Sequence, residues 1–460
     1  MNEKNDFIFA LQNCLGAEQV LSRPEECFAY GADNSRLQAM PDVVAFATHH
    51  EQIVAVVQLC HQFHIPLVVR GRGTATTGAA VPLQGGLVLS LERMNQVISF
   101  EPGNRLMVVE PGIINTEVQR LAASHGLFWA PDPSSANYCT VGGNLSVNAA
   151  GPRAVKYGSS RDNTLGLRAV TGTGKTIRVG SHTTKHAVGY DLTRLLIGSE
   201  GTLAIITEAT LKLTPLPESK CTLQALFTDI EAATAAISAI MTQPYVPCAL
   251  EFMDQQAINM IRNYSKLQLP ENVGALLIIE VDGPSSSMAD AKASITRAIP
   301  TLGLMQLMVA ANAKEAELLW DTRKALSPAL RHLAPKKINE DIVVPVSRLP
   351  ELIKGLQVLA DQYQIIIVNF GHAGNGNIHV NLLLDSANAV QVKNAEACLD
   401  AVFTLVLQLE GTLSGEHGIG ITKRDFLTRE LDSASLDLMR GIKKLFDPKN
   451  ILNPGKVLPE

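Results

Sequence analysis

Short β-branched runs punctuate the first half of the chain at Val43 to Phe46, Leu67 to Val69, Leu87 to Leu91 and Leu106 to Val109. Stretches with helical spacing and glycine-rich turns lie between them, which predicts an α/β nucleotide-binding unit over residues 41–217. Residues 1–40 read as an N-terminal helical segment because Phe7 to Leu15 is amphipathic. Thr214-Pro-Leu-Pro217 closes the unit, since two prolines within three residues stop regular structure and suit a linker.

Beyond it the pattern changes. Strand-like runs (Leu276 to Val281, Ile342 to Val346, Ile365 to Asn369, Ile378 to Leu384) alternate with helical ones (Ile230 to Met241, Ser287 to Ala298, Glu315 to Leu330, Leu349 to Tyr363, Val390 to Leu409). This predicts an α+β domain over 218–410 with an antiparallel sheet. Residues 411–460 end in turn-formers and read as a separate C-terminal segment. The fold class expected for the whole chain is therefore α+β.

Composition narrows the field. A chain of 460 residues exceeds one ordinary core, so two or three domains are expected. With 46% apolar and 18% charged residues it is globular rather than disordered. A net charge of -5 and no basic stripe exclude a nucleic-acid footprint. The seven cysteines are scattered, never as Cys-x-x-Cys, which predicts reduced thiols and a cytoplasmic location. The N-terminus lacks a signal-peptide pattern, and no apolar run is long enough to span a bilayer. Peripheral attachment at the inner face of a membrane stays open.

Glycine loops supply the first chemistry. Leu67-Val-Val-Arg-Gly-Arg-Gly-Thr-Ala-Thr-Thr-Gly78 is a strand running into a turn whose backbone N–H groups can converge on a phosphate. Glu92 lies about 20 residues downstream, as the ribose-binding acid of a Rossmann fold would. The spacing of Gly71, Gly73 and Gly78 is wrong for that fingerprint, however, and Pro82, Gly85 and Gly86 leave no room for the helix it needs. Thr171-Gly-Thr-Gly-Lys-Thr176 resembles a P-loop but has Ala169 in place of the first glycine, and strand-like flanks make it a hairpin turn.

Pro131 to Gly151 and Leu195 to Ile206 are crowded with small residues that let a flat ligand approach the backbone. Together with Lys156-Tyr-Gly-Ser-Ser-Arg-Asp162 and Gly189-Tyr-Asp-Leu192 they resemble the FAD domain of vanillyl-alcohol oxidase type flavoproteins. Within that superfamily the chain is similar to the branch that holds D-lactate dehydrogenase, D-2-hydroxyglutarate dehydrogenase and the flavoprotein component of glycolate oxidase, over roughly Pro41 to Lys456.

The resemblance implies a two-part FAD-binding domain, a substrate- and metal-binding domain over 218–410 and a C-terminal segment, 411–460, that completes the active site. Arg70, Gly71, Arg72, Gly73, Thr74, Thr77 and Gly78, with Gly142, Gly143 and Asn144, would hold the FAD diphosphate. Pro131, Asn148, Gly201 and Ile206 would line the rest. Arg72 and Ala75 stand where the family usually has glycine, and Ala79 where a second glycine follows Gly78. Arg72 can pair with the diphosphate. No histidine stands in the loop, so a noncovalent flavin is expected.

A second constellation surrounds Asn375-Gly376, a favoured pair for a two-residue hairpin. With those two at the turn centre, His372 faces His379 with Cβ atoms about 4.5–5.5 Å apart, which suits one metal ion, and Asn381 shares that face. Two histidines in a hairpin are also compatible with simple surface decoration. Leu413-Ser-Gly-Glu-His-Gly-Ile-Gly420 places a carboxylate and an imidazole side by side in an otherwise apolar stretch, which is costly unless they bind something. The resemblance implies His372, His379 and Glu416 as ligands of a divalent metal (zinc, manganese or iron) and His417 as the base. Asn375 stands where the family commonly has Asp.

Arg323 and Ser327 sit one helical turn apart, so a guanidinium fork on that face can take a substrate carboxylate. The resemblance supports Arg323 in that role, and Lys337 through a gapped alignment. With Asn381 these form the expected substrate set.

The reading that follows is FAD-dependent oxidation of a D-2-hydroxy acid, D-lactate first, to the 2-oxo acid. Glycolate, D-2-hydroxyglutarate and a noncatalytic electron-transfer subunit are the alternatives. The electron acceptor is open among quinone, cytochrome, flavoprotein and oxygen.

Overall fold

The β-branched runs of the first half become strands because each is bounded by residues that stop regular pairing. In a computed structural model, which describes residues 3–262, 269–324, 326, 329–330 and 336–459, Val43–Phe46, Leu87–Ser90 and Leu67–Arg70 lie parallel in one four-stranded sheet. Val20–Leu21 pairs antiparallel at its edge. The chain forms two units. The first comprises Met1–Gly151, Gly158–Leu216 and Glu416–Glu460, and the second Pro152–Tyr157 and Pro217–Gly415.

The first unit contains a second, five-stranded antiparallel sheet ordered Val97–Glu101, Leu106–Val109, Ala204–Lys212, Thr164–Thr171, Thr176–Gly180. The P-loop lookalike is thus the turn of an antiparallel hairpin, with Gly174 at φ 76. Helices Glu3–Leu15 and His50–Phe63 bury Phe7, Leu11, Ile53, Val56 and Val57 against the parallel sheet. Each such side chain contributes roughly 1.5–3 kcal/mol on leaving water. Thr214-Pro215, expected as linker, pairs with Leu127–Phe128. The threonine N–H and both carbonyls remain usable beside a proline, so an edge pairing survives there.

The second unit is a seven-stranded antiparallel sheet ordered Leu304–Val309, Ser219–Phe227, Ala275–Gly283, Ala249–Asp254, Ile366–His372, Asn377–Leu384, Lys336–Val343. The last of these starts at Lys336 and ends at Val343, where Ile342 to Val346 was expected. Its polar run Asn339-Glu-Asp341 hides the strand from a hydrophobicity pattern, yet Glu340 and Asp341 are buried. Ser219–Phe227, Ala249–Asp254 and Leu304–Val309 were not among the expected strands, because Gln224, Glu251 and Gln306 interrupt their apolar runs.

Pairing defines one face of this sheet. Met253, Phe370, His379 and Asp341 form one cross-strand row, and Ile278, Glu251, His372, Asn377 and Val343 the next. Helix Gln255–Ile261 and residues Trp320, Leu326, Ala329 and Leu330 pack over the apolar part of that face. All seven cysteines are free. No helix among the described residues is long and apolar enough to cross a membrane.

Candidate active site

The glycine-rich loop after Leu67–Arg70 opens onto a cavity within the first unit. Gly71, Arg72, Gly73 and Thr74 form one wall, Gly142, Gly143 and Asn144 another, and Gly201 and Ile206 a third. Glu416 and His417 border the same cavity, brought there by the C-terminal segment of this unit. The Glu416 carboxylate accepts the N–H of Gly151 at 2.7 Å.

Five of the expected cofactor residues stand behind this lining. Arg70 donates to the Ala32 carbonyl at 2.5 Å. Thr77 carries the C-terminal loop on its carbonyl, and Gly78 packs against Ile421. The carbonyl of Pro131 accepts from Asn115, while Asn148 is the left-handed cap of helix Val141–Val147. Arg72 stands 3.6 Å from Glu92, so the acid at the Rossmann ribose position serves as an ion-pair partner.

Two observations test whether this cavity suits a dinucleotide. Asn144 is buried, and its Nδ2 has no partner among the described residues although it borders the cavity, as does the buried Thr76 hydroxyl. A Cβ added at Gly201 would meet nothing within 4 Å, so that backbone faces open space. Buried donors seldom stay unmet without a ligand, and both features fit FAD.

The second unit carries the other constellation. The hairpin register differs from the two-residue turn expected: His372 pairs with Asn377, and His379 with Phe370. Ala373–Asn375 forms a single 3-10 turn that Gly376 terminates at φ 73, so the link has four residues and Asn375-Gly376 closes it instead of centring it. The histidines are therefore offset by two residues instead of directly opposed. That offset preserves the face, and the two rings lie 5.2 Å apart at 88°.

Glu251, absent from the sequence expectations, organises this face. Its carboxylate is fully buried, with Oε1 2.6 Å from Nδ1 of His372 and Oε2 2.8 Å from Nε of Arg323. Burial pushes this carboxyl up, but the charges of His372 and Arg323 more than offset it and hold it below the usual carboxylate range. Arg323 also lies over the Phe370 ring, 4.6 Å from its centroid. Asp341, opposite His379, accepts from Asn377 at 2.6 Å and from the N–H of Gly415 at 2.9 Å.

Of the expected substrate residues, Asn381 points to the histidine face, and its Nδ2 bonds the carbonyls of Val368 and His379. Lys337 shares the strand face of Asn339 and Asp341. Ser327 lies outside the described residues. A signal for Glu251 does exist in the sequence, since a lone acid inside Ala249-Leu-Glu-Phe-Met253 must be paired if that run is buried. Its partners are 72 and 121 residues away.

Comparison with known proteins agrees with this architecture. Residues 41–180 match the FAD binding domain family, and residues 216–457 match the family described as FAD linked oxidases, C-terminal domain. The chain is 39% identical to the glycolate oxidase subunit GlcD of Bacillus subtilis (strain 168), over 94% of this chain and 91% of that protein. It is 33% identical to a D-lactate dehydrogenase of Anaerostipes hadrus, over 91% of this chain and 90% of that protein. Among solved structures, p-cresol methylhydroxylase with substrate bound superposes with a TM-score of 0.84 at 17% identity, covering 99% of this chain and 97% of that one. The chain therefore belongs to the FAD-linked oxidases, FAD-dependent oxidoreductases built on the vanillyl-alcohol oxidase type fold.

Proposed function

We propose that this protein oxidises a small D-2-hydroxy acid, D-lactate first, to the 2-oxo acid, with a noncovalent FAD and a divalent cation. The observation that carries the reading is the presence of Glu416 and His417 in the wall of the cavity whose glycine loops suit FAD. A proton acceptor beside the flavin is what removal of a hydroxyl proton requires.

Gly71, Arg72, Gly73, Thr74, Gly142, Gly143 and Asn144 would hold the diphosphate. His372 and His379, with Glu416, would hold the cation, and two imidazoles with one carboxylate form a donor set suited to zinc, manganese or iron. The carboxylate of Glu251 on Nδ1 of His372 is the kind of outer partner that orients a ligating imidazole. Gly415, tied to Asp341 opposite His379, hands the chain to Glu416 through one peptide bond. When bound, FAD supplies the hydride acceptor and the cation a Lewis acid that eases loss of the hydroxyl proton.

The chain's own groups do the rest. Glu251 engages Arg323 through Nε, which leaves the guanidinium's terminal nitrogens to take the substrate carboxylate. His417 accepts the 2-hydroxyl proton, an imidazole nitrogen being able to take up a proton and pass it on. Lys337, Asn381 and Ser327 complete the proposed substrate contacts.

Glycolate is the second reading, favoured by the 39% identity to a glycolate oxidase subunit. Anaerobic mixing of the FAD-loaded protein with D-lactate, glycolate, D-2-hydroxyglutarate and L-lactate tests both. We expect D-lactate to bleach the flavin fastest. Faster bleaching by glycolate would move the assignment, and no bleaching by any of them would end it.

A further inference from the structure

We propose that Glu200 is a positioning residue that sets the place of His417 by gripping the turn after it; this rests on the role proposed above for His417. Glu200 lies in Gly198-Ser-Glu-Gly-Thr202, whose small residues the cavity explains but whose acid it does not. The residue is 4% exposed and held at φ 52, a left-handed backbone uncommon outside glycine.

Its carboxylate is spent on two backbone groups. Oε1 accepts the N–H of Ile419 at 2.6 Å, and the N–H of Gly420 lies 3.2 Å from Oε1 and 2.9 Å from Oε2. From another side the carbonyl of Thr77 accepts the N–H of Ile421 at 2.8 Å, and the Thr77 hydroxyl donates to the carbonyl of His417 at 3.4 Å. The segment from His417 to Ile421 is thus hung between two residues of the first unit. Gly418 lets it come this close: at φ 83, a Cβ there would lie 2.7 Å from Oε1 of Glu200.

Glu200 is itself anchored. Nδ2 of Asn453 donates to its carbonyl at 2.6 Å and to that of Ala79 at 3.0 Å, and Nζ of Lys456 donates to Ala79 at 3.0 Å. A glycine-bracketed loop has little conformational preference of its own, so an external clamp must decide where its histidine stands. An apolar residue of similar size would fill this space without the desolvation cost that pushes the Glu200 carboxyl up to about 7. An ionised carboxylate offers both N–H groups acceptor lone pairs and turns no donor toward them.

The test is Glu200→Gln in the FAD-loaded protein at pH 8, where the wild-type carboxyl, pushed up to about 7, is ionised. Glutamine keeps the size but offers one acceptor oxygen, and turns an amide donor toward N–H groups. We expect FAD content within twofold of wild type and a pyruvate dissociation constant, read from the flavin spectrum, within threefold. The rate of flavin reduction at saturating D-lactate should fall at least tenfold, so the loss appears in kcat and not in KM. Reduction within twofold of wild type overturns the proposal. So does a loss of FAD, which would make Glu200 a cofactor contact.

Gly418→Ala provides a second route if the glutamine variant folds poorly, since it displaces the same turn with the carboxylate intact. It should show the same split, and the double variant should lose no more than about twofold beyond the worse single one. Multiplying losses would overturn the shared turn. Amide exchange at Ile419 and Gly420 without substrate should rise at least tenfold in Glu200→Gln. That readout keeps its meaning even if no hydroxy acid bleaches the wild-type flavin, which would defeat the functional reading instead.

Discussion

Glu251 holds His372 on one carboxylate oxygen and Arg323 on the other, at 2.6 and 2.8 Å. One buried acid thereby sets the orientation of both an imidazole proposed to bind the cation and the guanidinium proposed to bind the substrate.

Glu251→Gln should therefore weaken two things at once. Leaving the half-buried guanidinium of Arg323 without its counter-charge should cost about 1.5–3 kcal/mol, measurable by urea unfolding. Replacing the charged partner on Nδ1 by a neutral amide should lower affinity for zinc or manganese about tenfold or more by isothermal titration. Unchanged cation affinity would remove His372 from the ligand set.

Arg323→Lys retains charge but not the fork. A lysine ammonium cannot hold Glu251 through one edge and a carboxylate through another. We expect KM for the hydroxy acid to rise about tenfold or more, in keeping with about 1.5–3 kcal/mol for a hydrogen bond to a charged group. Equal KM would place the substrate carboxylate elsewhere.

His417→Ala should leave the flavin absorbance in place while turnover falls about 10²–10⁴-fold, the usual contribution of a positioned proton acceptor. Steady-state kinetics on the FAD-loaded variant decides this. Near wild-type turnover removes His417 from the chemistry.

Stability should depend on pH through Glu200. Burial lifts its carboxyl from the ordinary 4.5 to about 7, against the pull of the Ile419 and Gly420 N–H groups and of Lys456 and Lys423. Between those values the folded chain holds a proton that the unfolded chain has released. Its contribution is thus complete below about pH 4.5 and lost as pH rises through 7, on the order of 3 kcal/mol. Urea titrations of wild type and Glu200→Gln at pH 5 and pH 7.5 should show the difference between them changing by that order, and a constant difference contradicts it.

Gly376→Ala should destabilise the second unit. A Cβ at this residue, which sits at φ 73, would lie 1.9 Å from the Val344 carbonyl. The clash and the strained backbone together should cost about 2–4 kcal/mol in thermal or urea unfolding. A shift below about 0.5 kcal/mol would mean that the link relaxes freely.

What the sequence made legible follows from physical range. Val43 to Phe46 and Ile378 to Leu384 form the strands their apolar runs predict, because burial is a property of the run itself. The Glu416-His417 pair between glycines was visible because polar groups in an apolar context need a purpose. Glu251 and Glu200 were not recognised, since each acts through partners distant in the chain, and one acid in a strand or turn carries no trace of them. The hairpin register was misplaced by the choice of Asn375-Gly376 as turn centre. A period of two rescued the outcome, as a two-residue shift returns both histidines to the same face.

The parallel sheet of the first unit is finished by residues from the far end of the chain. Leu67 donates its N–H to the carbonyl of Ile451 at 2.7 Å, and its carbonyl accepts the N–H of Asn453 at 2.8 Å. During synthesis, the strand Leu67–Arg70 must emerge with a bare border and wait while the whole intervening unit is made. Biogenesis therefore runs in reverse of the reading order: the inserted middle can mature first, and this border is covered only after Ile451 to Asn453 have been made.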